Sequence, residues 1–263
     1  MNTHDWLGLA FGLVIGVSLG LTGGGGSIFA LPLLICGLGL PPRSAVAVSL
    51  AAVGVTAGFG AAMQLKAREI EILPGFIFAI GGMLFAPLGA WLGHFIPAGI
   101  LLSVFALLMG FVAWRIWHSA AQRETATGPC VSRGAAKLGA GCNVRLTSAG
   151  AVAGLLSGLF GVGGGFVVVP ALLYVTGTSI HRAVATSLMV IFLISISGAA
   201  ANVLQQPQPF PMPASALFVI GGFAGMFFGS GLRERFSGPA LRKTFASAMW
   251  LISAYMLAKN LGW

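Results

Sequence analysis

The feature that most constrains this chain is a series of apolar stretches, at 44–64, 73–93, 98–117, 183–203, 212–232 and 244–261, that hold no acidic residue and only Arg115 and Lys259 as bases. About 20 apolar residues is the length a helix needs to cross the hydrocarbon of a bilayer. A helix satisfies its own backbone there, which an open sheet cannot do. The stretches are continuous Leu, Ala, Ile, Val, Phe and Gly without the alternation of outer-membrane strands, so six full helical spans are predicted and a barrel fits poorly. The composition agrees, with 57% hydrophobic and 7% charged residues, against about 25% charged in a soluble domain.

The net charge of +9 would suggest nucleic acid in a soluble protein, but here the bases sit mostly in short connections, where they set topology. The N-terminus lacks a basic leader region and carries Asp5, so the first apolar stretch is expected to be retained. Cys36, Cys130 and Cys142 have no metal-ligand spacing and are expected to be scattered free thiols. Neither a metal nor a cofactor is expected.

The chain is duplicated. An offset of 138 residues aligns 14–62 with 152–200 and makes 18 of those 49 positions identical, among them Gly16/Gly154, Gly20/Gly158, Gly23/Gly161, Pro32/Pro170, Val46/Val184 and Ser49/Ser187. After a two-residue insertion the match resumes at Ile80-Gly81-Gly82 and Ile220-Gly221-Gly222. Residues 1–117 form a first transmembrane repeat and 147–263 a second, joined by a basic linker at 118–146.

Each repeat opens with an apolar arm, a glycine run and a second arm of about a dozen residues, too short to cross alone. Such a glycine-broken, re-entrant hairpin is tolerated at membrane depth only where protein buries it or it lines a cavity. The linker carries Arg123, Arg133, Lys137 and Arg145, and the last connection carries Arg233, Arg235, Arg242 and Lys243; both should be cytoplasmic. The corresponding turn near His94 has no Arg or Lys, while Lys66 and Arg68 face an uncharged counterpart at 205–213. Equivalent loops thus fall on opposite sides. The predicted fold is all-α and membrane-integral, with two inverted repeats, each a broken hairpin followed by three transmembrane helices. Both termini would lie outside, and Arg43 and Arg182 at opposite faces.

Gly23-Gly24-Gly25-Gly26-Ser27 and Gly161-Val162-Gly163-Gly164-Gly165 are each followed by a segment able to form a helix. Successive glycines let backbone N–H groups converge, and a helix start adds about half a positive charge. Two such loops meeting near the midplane would make an anion site without a buried Lys or Arg. The spaced glycines Gly12/Gly16/Gly20, Gly154/Gly158 and Gly225/Gly229 read instead as close helix packing. Neither run fits a nucleotide motif: no Lys-Ser/Thr follows at Walker spacing, and Phe166 stands where a dinucleotide fingerprint from Gly161 needs its third glycine.

Ser49 and Ser187 occupy equivalent positions and suit a pair of donors brought together by pseudosymmetry, with Thr186 beside them. Most other hydroxyls in the spans, Ser195 among them, read as bonding to their own helix. The acids Asp5, Glu69, Glu71, Glu124 and Glu234 all fall in loops or at the terminus, which argues against a cation exchanger and leaves coupling open. Arg43, His181 and Arg182 flank the broken units, where they could draw anions into vestibules or anchor at the interface. The spans lack the buried His, Asp, Glu or Cys that a membrane enzyme would recruit.

The chain resembles the TauE/SafE sulfite-exporter family, also called the toluene-sulfonate uptake permease family. The resemblance rests on GLTGGGGSIFALPLL with RSAVAVSL in the first half and GLFGVGGGFVVVPALL with HRAVATSL in the second. It implies secondary transport of sulfite, organosulfonates or related small anions across a bacterial inner membrane. The expected mechanism is alternating access around the two glycine loops with Ser49, Thr186 and Ser187; a passive anion channel or facilitator is the alternative. The expected partners are a small anion and membrane lipids, with a homodimer left open, and no nucleic acid. Ser27 stands where the second half has Gly165, and Thr22 where it has Phe160, so the loops need not contribute equally.

Overall fold

The structure is a computed structural model that describes residues 3–119, 140–205, 212–236 and 239–260. Among these residues it is helical apart from short turns, with ten segments: α1 (Thr3–Thr22), α2 (Gly25–Gly37), α3 (Pro42–Lys66), α4 (Ile72–Phe95), α5 (Ala98–Ser119), α6 (Ala140–Phe160), α7 (Gly165–Thr176), α8 (Ile180–Gln205), α9 (Met212–Phe236) and α10 (Pro239–Asn260). Five helices fall in each repeat. The chain is thus an all-α membrane protein, and among the described residues α3, α4, α5 and α8 are long and apolar enough to span. The 118–146 linker is helical at both ends, since α5 runs to Ser119 and α6 begins at Ala140, and its middle lies outside the described residues.

Local sequence explains the boundaries. Pro42 starts α3, where its missing N–H costs no helical bond. Gly23 and Gly161 both have φ of 70°, a left-handed conformation that ends α1 and α6 and that a side chain resists. Gly177, at φ 62°, closes α7 by donating to the Leu173 carbonyl at 3.0 Å. The return arm α2 is irregular, a tight 3-10 turn at Gly25–Phe29 followed by a wide turn at Leu33–Gly37.

Small residues decide the packing. A Cβ on Gly12, Gly16 or Gly20 would enter the backbone at Phe218, Gly222 or Gly229/Ser230 respectively, so α1 and α9 run parallel in close contact. Gly150, Gly154 and Gly158 meet Phe78, Gly82 and Ala86 in the same manner, which makes α4 and α6 parallel. The two pairs are counterparts under exchange of the repeats, and the spaced glycines serve close packing as expected. Central to both stand α3 and α8, each buried over 61% of its apolar window against 28% for α5. Their contacts run in opposite order, Leu50 with Gly198, Gly54 with Ser195 and Gly58 with Phe192, so the pair is antiparallel.

The remaining directions follow. Thr56 and the carbon at Gly60 meet Gly222 and Met226, aligning α3 with α9, while Gly75 and Gly82 meet Met189 and Ile194, aligning α4 with α8. Hence α1, α3 and α9 point one way and α4, α6 and α8 the other. Because α3 repeats the direction of α1, the chain returns through α2 before α3 begins, and the opening unit is a hairpin.

One sequence expectation fails. Cys142 is disulfide-bonded rather than a free thiol. Spacing does not reveal this, because pairing depends on which ends the fold brings together. Cys36 is free.

Candidate functional site

The two glycine corners meet each other. A Cβ on Gly24 would fall on the backbone of Gly165, and one on Gly165 on the backbone of Gly24. Gly23 lies against Val184 and Ser187 of α8, its Cβ position being 2.7 Å from Val184 Cγ1 and 2.9 Å from Ser187 Oγ. Gly161 lies against Val46 of α3, at 2.7 Å from its Cα. Val46 and Val184 are equivalent in the duplication, so each corner is seated on the central helix of the other repeat.

Within the second corner Gly163 and Gly164 also adopt left-handed φ, 69° and 67°. A Cβ on Gly163 would stand 3.0 Å from Val53 Cγ1 and Ile191 Cγ2, and 3.1 Å from Ser195 Oγ. Val53 and Ile191 are separated by the repeat offset of 138, so Gly163 stands between the central helices of both repeats. From Gly164 the helix α7 begins, with the N–H groups of Val167 and Val168 donating to the Gly164 carbonyl at 3.0 and 3.2 Å. The N-terminal end of α7 therefore lies at this corner, where a helix start carries partial positive charge.

Hydroxyl groups surround this centre unequally. Ser27 donates to the Gly24 carbonyl at 2.7 Å and Ser187 to the Val184 carbonyl at 2.8 Å, so both are committed locally. Thr186 accepts from the Glu71 N–H at 2.9 Å and belongs to a polar cluster at one end of the bundle. Ser49, Ser157 and Ser195 are at most 1% exposed, and their hydroxyls have no partner among the described residues. An unpaired buried hydroxyl costs about 1–3 kcal/mol. Two of the three border the second corner: Ser195 beside Gly163, and Ser157, whose Cβ is 3.3 Å from the Cβ position of Gly164.

The structure thus brings Gly23, Gly24, Gly161, Gly163, Gly164, Gly165 and Ser187 to the corners between α3 and α8. Gly26 packs back on Ser18 and Leu19 of its own hairpin, and Gly25 is half-buried beside it. Ser49 lies one turn beyond Val46 on α3. Sequence reasoning passed over Ser157 and gave Ser195 a bland role because their counterparts are Leu19 and Ala57. A serine at an apolar position of the other repeat is the signal that marks them.

Arg43 and Arg182 open antiparallel helices and stand at opposite ends. Arg43 is exposed and donates to the His94 carbonyl at 3.2 Å. Together with His94, Asn202, Val46 and Gly158 it lines a cavity of about 30 Å³ that leads toward the Gly161 corner. That volume is the room of one water molecule. At the other end Arg182 lies 3.8 Å from the Glu71 carboxylate, with His181 exposed beside it.

Comparison with known proteins gives these features a family. A profile described as "Sulfite exporter TauE/SafE" matches residues 8–256. A "Probable membrane transporter protein" of Xylella fastidiosa (strain 9a5c) is 31% identical over 258 residues, covering 95% of this chain and 93% of its own. Another protein so named, from Bacillus subtilis (strain 168), is 25% identical over 254 residues, covering 92% and 94%. No solved structure matches. These likenesses run the length of both repeats and describe a multi-pass membrane transporter, not an enzyme. The chain belongs to the sulfite exporter TauE/SafE family.

Proposed function

We propose that this transporter carries small sulfur oxyanions, sulfite or an organosulfonate, by alternating access, binding them where the two glycine corners meet. The observation that carries the reading is the pair of unpartnered buried hydroxyls, Ser157 and Ser195, set against the left-handed glycines at the start of α7. Unpaired donors held in a dry site beside a helix N-terminus stabilise an anion without any buried cation. A bound oxyanion would supply the acceptors that these hydroxyls lack. Counterpart helices that run in opposite directions support inverted repeats, the arrangement in which two halves exchange exposure about a central site. The basic linker at 118–146 and the basic connection from Arg233 to Lys243 support a bacterial inner membrane with the Arg182 end cytoplasmic.

The test is uptake of radiolabelled sulfite, thiosulfate, taurine and aromatic sulfonates into proteoliposomes, with and without a pH difference. Wild-type protein should accumulate at least one of them, and Ser195→Ala should raise the half-saturating concentration about tenfold. Vesicles that match empty ones for every anion would sink the substrate class. Equilibration without accumulation would favour a facilitator, and unchanged kinetics in Ser195→Ala and Ser157→Ala would remove the site.

A further inference from the structure

Glu71 immediately precedes α4, the position from which an acidic side chain often caps its own helix, yet it makes no such bond. Its carboxylate turns across the repeat boundary instead. It accepts a hydrogen bond from Thr178 Oγ1 at 2.5 Å and lies 3.8 Å from Arg182 Nη1, while its backbone N–H donates to Thr186 Oγ1 at 2.9 Å. Thr178 sits in the turn between α7 and α8, so one acid of the first repeat holds the far end of the arm that begins at the Gly164–Gly165 corner. It also meets α8 one residue from Ser187, against which Gly23 is packed.

The two ends of the bundle are unequal in this respect. At the opposite end Arg43, among the described residues, reaches a backbone carbonyl alone and borders a small open cavity. The connection equivalent to Glu71, at 206–211, contains no acid at all.

Arg182 and Thr178 together offer a guanidinium and a hydroxyl to one carboxylate oxygen, Oε1 of Glu71. An oxygen of sulfite or of a sulfonate carries the same sign and can accept from the same hydroxyl and guanidinium. Arg182 is 61% exposed on its side chain, so an anion from the water on this face can reach it. We propose that Arg182 and Thr178 form an oxyanion station at this mouth, and that Glu71 is its tethered occupant, a latch that a transported anion displaces to enter or leave. Displacement frees Thr178, and with it α7, and opens the way to Ser187. This rests on the reading that small anions pass between the repeats, but its test does not depend on which anion is carried.

Ser187→Cys, in a protein with Cys36→Ala, reports access from the Glu71 face through its rate of reaction with a membrane-impermeant thiol reagent. With Glu71→Gln added, the rate should rise about tenfold, the scale on which a broken two-site coupling shows. Exchanging the pair, Glu71→Arg with Arg182→Glu, should restore slow labelling, and Thr178→Val should give an intermediate rate. Millimolar methanesulfonate or acetate should accelerate labelling when Glu71 is present and have no effect once it is Gln. Equal rates with Glu71 and Gln, or no anion response while Glu71 is present, would overturn the proposal. Anion-responsive labelling in a protein that fails to transport any sulfur anion would strike the substrate reading alone.

Discussion

Gly24 and Gly165, from the broken corners of different repeats, stand backbone to backbone, so that a methyl group on either would enter the other. They are not equivalent positions, since the duplication pairs Gly24 with Val162 and Gly165 with Ser27. The two corners therefore interlock off register. The first contributes its 3-10 turn and the second its run of left-handed glycines.

This contact makes Gly24 a steric requirement and not a conformational one, because its φ of −74° suits any residue. Gly24→Ala should lower stability by about 1–3 kcal/mol, the usual cost of forcing atoms into a filled core. Gly231→Ala, where an added Cβ meets nothing, should be neutral or stabilising by up to about 1 kcal/mol. Thermal unfolding in detergent checks the pair, and equal melting temperatures would show that the corners do not touch.

Removing the Ser195 hydroxyl separates a structural from a binding role. A buried hydroxyl without a partner destabilises the empty protein, so Ser195→Ala should hold or raise the melting temperature while weakening anion binding about tenfold. Calorimetric titration of purified protein with sulfite, beside its melting curve, is the measurement. A drop in stability with unchanged affinity would assign Ser195 to packing.

The glycine seams between repeats should be intolerant of bulk. Gly154 lies against the backbone of Gly82, and Gly16 against that of Gly222, so a leucine at either would push α6 off α4 or α1 off α9. Loss of the monodisperse peak in size-exclusion chromatography of Gly16→Leu and Gly154→Leu is expected. Well-folded variants would mean that these helices sit farther apart.

Helix direction makes a topological prediction. Because α4 and α8 run parallel, cysteines placed at His94 and Gln205 should react with an impermeant reagent from the same side, and one at Lys66 from the other. Labelling of His94 and Lys66 from one side would break the arrangement.

The apolar stretches, the 138-residue offset and the glycine runs made the class, the duplication and the corners legible before any coordinates. These are local or periodic properties: the length of an apolar run answers to bilayer thickness, and a glycine run answers to the strain of left-handed φ. The span at 212–232 falls in α9 and that at 244–261 in α10 up to Asn260, while the middle of the linker and residue 261 lie outside the described residues.

What depended on distant partners was not legible. Ser49 and Ser187 are alike in sequence, yet Ser187 bonds its own helix and Ser49 bonds nothing. Thr186, chosen for its neighbour, is held by Glu71, a residue 115 positions away. Ser157 and Ser195 became site candidates only because folding seats Gly163 and Gly164 beside them. The sequence by itself determined a duplicated helical membrane protein with two breaks, because those follow from run length and backbone freedom. Only the tertiary structure decided which hydroxyls remain unpaired and which acid crosses between repeats, because a hydrogen bond is settled by what lies within about 3 Å in space.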